Sequence, residues 1–147
     1  MKMQSRMVFI GVLALFGLVV TGRADVAGEN DAMAEIREVI DRYRESGDRQ
    51  DPSLVEGALA ADFALYYKGA DGWVRSDRAG YIGALSAKVI GGEERAMTIH
   101  RIEVNGPVAS AHVRFSSKSA NFDQFINFVA TDDGWRIVGL VLNYTPA

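Results

Sequence analysis

Two histidines are the residues of this chain best suited to proton transfer near neutral pH, because an imidazole titrates there. His100 lies in a predicted strand at the same parity as Ile102 and Val104, which we expect to face the interior. His100 is therefore a candidate general base in a cavity, although no acid stands at a fixed spacing from it. A histidine that only hydrogen-bonds a neighbour in the core or at a rim fits the same pattern and is the simpler interpretation.

His112 shares its parity with Ser110 and Arg114, so we expect it on a polar face that meets solvent or a partner subunit. The two histidines would then face opposite ways, and no third ligand stands at a suitable spacing. The pattern therefore predicts no metal site. The absence of cysteine also excludes thiolate ligands, a thiol nucleophile and disulfides.

Two aspartates, Asp62 and Asp123, are possible general bases. Asp62 precedes an aromatic strand and could stand at a cavity mouth, but a residue of a helix-to-strand turn is the preferred interpretation. Asp123 has the parity of an outer face, where we expect it to pair across strands with Arg114 or Arg136 rather than take part in catalysis.

Aromatic side chains and amides suggest how a flat ligand could be held. Aromatic rings stack on planar heterocycles, and a polar group in an apolar strand can orient them. Most of these aromatics could equally be core residues. The candidate ligand-binding residues are Tyr67, His100, Phe122, Asn127 and Phe128. No cofactor is expected, since the chain has no G-x-S-x-G, P-loop, G-x-G-x-x-G or H-E-x-x-H motif.

The N-terminus has the pattern of a secretory signal peptide. Lys2 and Arg6 precede an apolar run over 7–20, which is shorter than the roughly 20 residues of a membrane span. Small residues follow, and they predict cleavage after Ala24. An uncleaved membrane anchor is the less favoured alternative. The chain is therefore predicted to be exported to the periplasm or the medium, with one domain over 25–147 and no stable membrane insertion after cleavage.

Charge and composition exclude several classes of protein. Of 147 residues, 48% are hydrophobic and 24% are charged, which is typical of a globular protein. Residues 25–147 would carry 13 basic and 19 acidic groups, a net charge of −6. Such a domain repels phosphate backbones, so nucleic acid is not an expected partner.

Apolar spacing predicts the elements that would position these residues. Helical spacing over the first part of the domain changes to alternation from residue 96 onward. Segregated helices and strands indicate an α+β fold with an antiparallel sheet curling around the helices and leaving a conical cavity. The predicted helices are 31–44, one from 51, and 77–89, and the predicted strands are 63–67, 73–75, 96–104, 108–116, 122–131 and 135–144.

Two segments carry a family resemblance. Residues 101–114 form a strand, turn and strand around Asn105-Gly106, and residues 122–138 form a terminal hairpin with Asp133-Gly134-Trp135 at its turn. Over 32–144 the chain resembles the cone-shaped α+β barrel of the nuclear transport factor 2-like (NTF2-like) superfamily, and within it the "Putative lumazine-binding" family. The resemblance implies three helices of the N-terminal half packed in a strongly curved, mostly antiparallel sheet.

The superfamily includes isomerases, dehydratases, cyclases and non-catalytic binders, so the resemblance leaves function open. We favour an exported domain that binds a small apolar or aromatic ligand, because no acid–base pair is evident. The alternatives are an isomerase- or dehydratase-like enzyme with a cavity His or Asp as base, and a dimeric accessory module. The resemblance implies a homodimer through the open sheet face, where the apolar candidates are Val113, Phe115, Phe125 and Leu140.

Overall fold

The domain begins with a long helix, α1, which spans Ala24–Arg49. The computed structural model describes the backbone of residues 24–147 and the side chains of 27–147, so the predicted signal peptide, apart from Ala24, lies outside the described residues. α1 buries the apolar stripe of Ile36, Val39, Ile40 and Tyr43. It is longer than predicted at both ends, and it ends where Gln50 adopts a positive φ of 52°.

Two shorter helices follow. α2 spans Ser53–Glu56, and α3 spans Arg78–Ser86 and buries Tyr81 and Leu85. Asp77 caps α3, because its carboxylate accepts a hydrogen bond of 2.9 Å from the backbone N–H of Gly80. Residue 77, predicted to be the first residue of the helix, is therefore its cap, and the helix does not reach the predicted end at residue 89. The helix ends earlier because Lys88 takes a positive φ of 56°.

Six strands form one curved sheet in the order β2-β1-β6-β5-β4-β3. All neighbours are antiparallel except β1 and β6, which are parallel. The predicted α+β class, with three helices on a mostly antiparallel sheet, is confirmed. The strands are β1 Leu59–Gly69, β2 Gly72–Asp77, β3 Ala96–Asn105, β4 Val108–Ser116, β5 Ala120–Thr131 and β6 Gly134–Pro146.

Two β-bulges decide which side chains face inward. In β3 the register shifts between Ile99 and Arg101, which leaves His100 without a cross-strand partner. In β6 the pairs Phe128–Ile137 and Asn127–Gly139 bracket a second shift. Each extra residue reverses the alternation beyond it. The expected inward orientation of His100 is wrong for this reason, and so is the expected outward orientation of Leu140, which is 2% exposed.

The core lies between the inner face of the sheet and the helices. Val113 and Phe115 of β4 and Ile126 of β5 are fully buried there, together with Leu85 of α3. The prediction that Val113 and Phe115 belong to an open face is therefore wrong, because their parity places them under the helices. Among residues 24–147, no helix combines the length and apolarity needed to cross a bilayer.

Candidate functional site

A cavity of about 610 Å³ lies where α1, α3 and the inner face of the sheet diverge. Leu65 and Tyr67 of β1, Phe122 of β5 and Leu142 of β6 supply much of its wall. Tyr144 stands at the rim, half exposed, with its ring 5.6 Å from the ring of Phe122 in an edge-on arrangement. The curved sheet thus provides the aromatic walls that suit a flat ligand.

Three polar side chains line the deep part of this cavity. Tyr43 of α1 and Tyr81 of α3 stack with their ring centroids 5.7 Å apart. Gln124 of β5 is 1% exposed, and its Oε1 has no hydrogen-bond partner among the described residues. An unpaired buried acceptor is costly, so the native structure needs a reason to keep it. A donor on a bound molecule is such a reason.

Arg95 adds a nearly buried positive charge to the cavity wall. Its Nε donates to Asp48 Oδ1 at 2.5 Å, and its Nη2 donates to the backbone carbonyl of Arg44 at 2.6 Å. The guanidinium carbon lies 5.2 Å from the ring centroid of Phe115 and 5.7 Å from that of Phe122. These contacts fix the cation where it can attract an electron-rich edge of a ligand.

Gly47 makes room for this cation. A Cβ at Gly47 would collide with the Arg95 guanidinium, so only glycine allows the arginine to lie across this turn of α1. Asp48 also accepts a hydrogen bond of 2.6 Å from Arg44 Nη1. One carboxylate therefore holds two arginines and joins the end of α1 to the start of β3.

Burial keeps the two phenols neutral. Desolvation raises the pKa of Tyr43, and the charge of Arg95 offsets only part of that effect. Desolvation, reinforced by Tyr43, raises the pKa of Tyr81 well above its ordinary value. Both hydroxyl groups therefore serve as neutral hydrogen-bonding groups at physiological pH rather than as proton acceptors.

The cavity wall, as far as the structure describes it, contains no histidine and no aspartate. Its one carboxylate is Glu93 at the rim. Hydrogen bonds from the Ser117 and Ser119 side chains lower the pKa of Glu93. These residues therefore do not include the histidine or aspartate that we expected as the base of an isomerase or dehydratase.

The residues proposed from sequence as ligand-binding fall in three places. Tyr67 and Phe122 line the cavity. Phe128 is 1% exposed and belongs to the core without lining the cavity. Asn127 and His100 lie exposed on the outer face of the sheet. Asp62 is also exposed, within β1 rather than in the expected turn.

Sequence reasoning missed Gln124 and Arg95. The signal for Gln124 was available, because it occupies an inward parity between Phe122 and Ile126 in an apolar strand. Arg95 precedes β3 and belongs to no periodic pattern. Its importance depends on Asp48, which lies 47 residues earlier in the chain.

The outer face of the sheet brings three other ligating side chains together. His100, His112 and Asp123 place one ligand atom each within 4.8 Å of one another. The premise that the two histidines face opposite ways is therefore wrong, and the bulge at His100 is the reason. The predicted pair is confirmed for Arg114, whose Nε and Nη2 donate to the two Asp123 oxygens at 2.9 and 2.8 Å.

The same outer face is partly apolar. Phe125, Trp73 and Val141 are exposed there, and they share a shallow groove with His112 and Asp123. Of the four residues proposed for a dimer contact, only Phe125 is exposed.

Comparison with known proteins assigns the chain to a family. The sequence profile of the family described as "Putative lumazine-binding" matches residues 31–141, which is most of the chain and includes Tyr43, Tyr81 and Gln124 of the cavity. The chain belongs to this family. No curated protein sequence matches it.

Solved structures described as NTF2-like share the fold of this lumazine-binding-type domain. An NTF2-like protein of unknown function from Silicibacter pomeroyi is similar at a TM-score of 0.72 and 18% identity, covering 80% of this chain and 98% of that one. Another NTF2-like protein of unknown function, from Shewanella baltica, has a TM-score of 0.70 and 20% identity, covering 86% and 99%. An NTF2-like superfamily protein from Salmonella enterica has a TM-score of 0.61 and 20% identity, covering 81% and 94%. At these identities the likeness concerns the fold.

Proposed function

We propose that this protein binds a small, flat molecule in its conical cavity and catalyses no reaction there. The buried Oε1 of Gln124 carries the proposal, because its side chain lines the cavity and this oxygen lacks a donor among the described residues. A cavity of about 610 Å³ is also within the range of about 300–1,000 Å³ typical of small-molecule sites.

The chemistry of the wall narrows the ligand class. Gln124 offers an acceptor to a ring N–H, and Arg95 offers positive charge to a carbonyl or anionic oxygen. Phe122 and Tyr67 offer aromatic surface to the faces of a ring. A nitrogen heterocycle that carries N–H and carbonyl groups matches this combination. Lumazine, which the family description names, is a pteridine of this kind.

Native mass spectrometry of the protein purified from its own host tests for a retained molecule. Fluorescence titration with lumazine then tests the proposed contacts. We expect Gln124→Leu to weaken binding about tenfold, the value of one hydrogen bond. Asn127→Ala, which removes an exposed amide from the same strand, is the matched control and should bind like the wild type. No retained molecule together with no lumazine binding, or equal affinity of the Gln124 variant, would overturn the proposal.

We propose further that the chain is exported and that its first 24 residues are removed. The buried stripe of α1 begins only at Ile36, and the described side chains at 27–30 are all exposed. Cleavage after Ala24 would therefore leave the buried stripe of α1 in the mature chain. Intact-mass analysis of the protein from a periplasmic or medium fraction should give a chain that starts at Asp25. A full-length chain confined to the cytoplasm would contradict export.

A homodimer through the outer sheet face is our third proposal. Trp73 and Phe125 are 67% and 59% exposed, and Val141 lies beside them. Neighbouring large apolar side chains that are exposed together are typical of interaction surfaces. Light scattering at several concentrations should give twice the chain mass. A monomer at every concentration would contradict this proposal.

A further inference from the structure

We infer that His100, His112 and Asp123 form a binding site for a divalent transition-metal ion on the outer face of the sheet. Their ligand atoms lie within 4.8 Å of one another, and each comes from a different neighbouring strand, β3, β4 and β5. The site is on the opposite side of the sheet from the cavity and does not depend on the proposed ligand.

The β3 bulge creates this arrangement. Without it, alternation from Ile102 would turn His100 inward, as the sequence first suggested. With it, Arg101 pairs with His112, and His100 is turned to the same face as His112. Bulges often re-aim a side chain next to a functional site, and this one brings the only two histidines of the chain to a ring-centroid distance of 4.6 Å.

Neighbouring groups hold the ligands in place. The ring of His112 is stacked on Phe125, with centroids 4.5 Å apart and planes at 10°. The Asp123 carboxylate is fixed by its two hydrogen bonds from Arg114. Each of these oxygens accepts one hydrogen bond and keeps a second lone pair, so Asp123 can still bind a metal. Its Oδ1 already lies 3.9 Å from His112 Nε2.

The donor set selects the class of ion. Two imidazoles and one carboxylate suit Zn²⁺, Cu²⁺, Ni²⁺ or Co²⁺, whereas Ca²⁺ and Mg²⁺ prefer oxygen ligands. Metal–nitrogen bonds of about 2.0–2.1 Å require the three ligand atoms to move closer together. The exposure of His100 leaves its side chain free to make this adjustment. Three protein ligands leave a coordination position for water or another donor.

The experiment uses the untagged protein, cleared of metal with a chelator, and titrates it with Zn²⁺ by calorimetry. We expect one ion per chain. His100→Gln and His112→Gln should each weaken binding about tenfold or more, since even loss of a group that only supports a ligand has an effect of about this size. Asp133→Asn, an exposed carboxylate in the β5–β6 turn, is the matched control and should leave the affinity unchanged.

Cu²⁺ gives a second, independent measurement. Electron paramagnetic resonance should show coupling to two nitrogens in the wild type and to one in each histidine variant. Because the chain has two histidines and no cysteine, these couplings can be assigned directly. Circular dichroism of the metal-free variants checks that they are folded. Weak, non-saturating Zn²⁺ binding, or an affinity that neither histidine substitution changes, would overturn the inference.

Discussion

At the scale of single residues, Gln124 is a residue that suits ligand binding but lowers the stability of the ligand-free protein. Its Oε1 is buried without a partner among the described residues, and an unpaired buried polar group costs about 1–3 kcal/mol. Leucine has a similar volume and no polar atom. We therefore expect Gln124→Leu to raise the free energy of unfolding of the ligand-free protein by about 1 kcal/mol. Urea unfolding measures this change, and a clear loss of stability would contradict it.

The two buried phenols predict how stability responds to alkali. Burial raises the pKa of Tyr43 and of Tyr81 in the folded state. The unfolded chain therefore loses these protons first, at an ordinary tyrosine pKa of about 10. Their contribution is fully present below that pH and is lost as the pH rises toward the folded-state values.

Urea unfolding from about pH 8 to about pH 11 should accordingly show stability falling above about pH 10. Tyr43→Phe and Tyr81→Phe should each make this decline shallower, because phenylalanine has no proton to lose. Tyr66→Phe, which changes an exposed tyrosine of β1, is the control and should leave the slope as it is. An equal slope in all four proteins would contradict the prediction.

The residues that sequence alone identified were those whose role follows from type and local parity. Tyr67 and Phe122 could be proposed for the cavity because aromatic residues at inward positions of a curved sheet face its interior. The pair of Arg114 and Asp123 followed from outward parity on neighbouring strands. Arg95 could not be found this way, because its position depends on contacts with Asp48 and Arg44 far away in the sequence.

At the scale of elements, Asp48 connects α1 to β3. Its side chain is 8% exposed and pairs with Arg95 and Arg44, which are 11% and 22% exposed. Removing one member of a largely buried ion pair leaves charge without compensation. We expect Asp48→Ala to lower the free energy of unfolding by about 3 kcal/mol. Asp41→Ala, which removes a half-exposed partner of Arg44, should cost less than about 1 kcal/mol. Equal effects of the two substitutions in urea unfolding would contradict this ranking.

The segment after α3 is joined to α1 by a close backbone contact. Gly91 has a φ of 78°, and a Cβ there would collide with the carbonyl oxygen of Gly47. We expect Gly91→Ala to lower the free energy of unfolding by about 1–3 kcal/mol. Gly83 lies within α3 with open space around its missing Cβ, so Gly83→Ala should instead stabilise by about 0.5–1 kcal/mol. Thermal unfolding of the two variants should give shifts of opposite sign, and shifts of the same sign would contradict the packing argument.

The two bulges explain why His100 and Leu140 were assigned to the wrong face of the sheet. In β3 the inward residues are Met97, Ile99, Ile102 and Val104, so one interval is three residues instead of two. β6 repeats this interval between Ile137 and Leu140. The irregular interval is present in the sequence, but alternation counted from one end of a strand does not reveal it. An error of one residue then reverses the assigned face.

At the scale of the whole molecule, the order of elements was predictable because each one has its own periodicity and boundary residues. The parallel pairing of β1 with β6 was not, because strands far apart in sequence meet only when the sheet curls around the helices. That curl also separates two surfaces with different chemistry. The inner one holds the cavity with Gln124 and Arg95, and the outer one holds the histidine cluster and the apolar groove.

The apolar groove on the outer face of the sheet predicts how the proposed homodimer responds to an added charge. In a two-fold dimer the same patch meets itself, so a charge added at its centre is repelled by its own copy and is also desolvated. Phe125→Glu should therefore shift the protein toward monomer in light scattering. Val89→Glu places the same charge on a residue that is 76% exposed and lies after α3, off the sheet, so it should leave the mass unchanged. Because the side chain of Phe125 faces away from the cavity, lumazine binding should survive the substitution, and a dimer that persists in Phe125→Glu would place the contact on another surface.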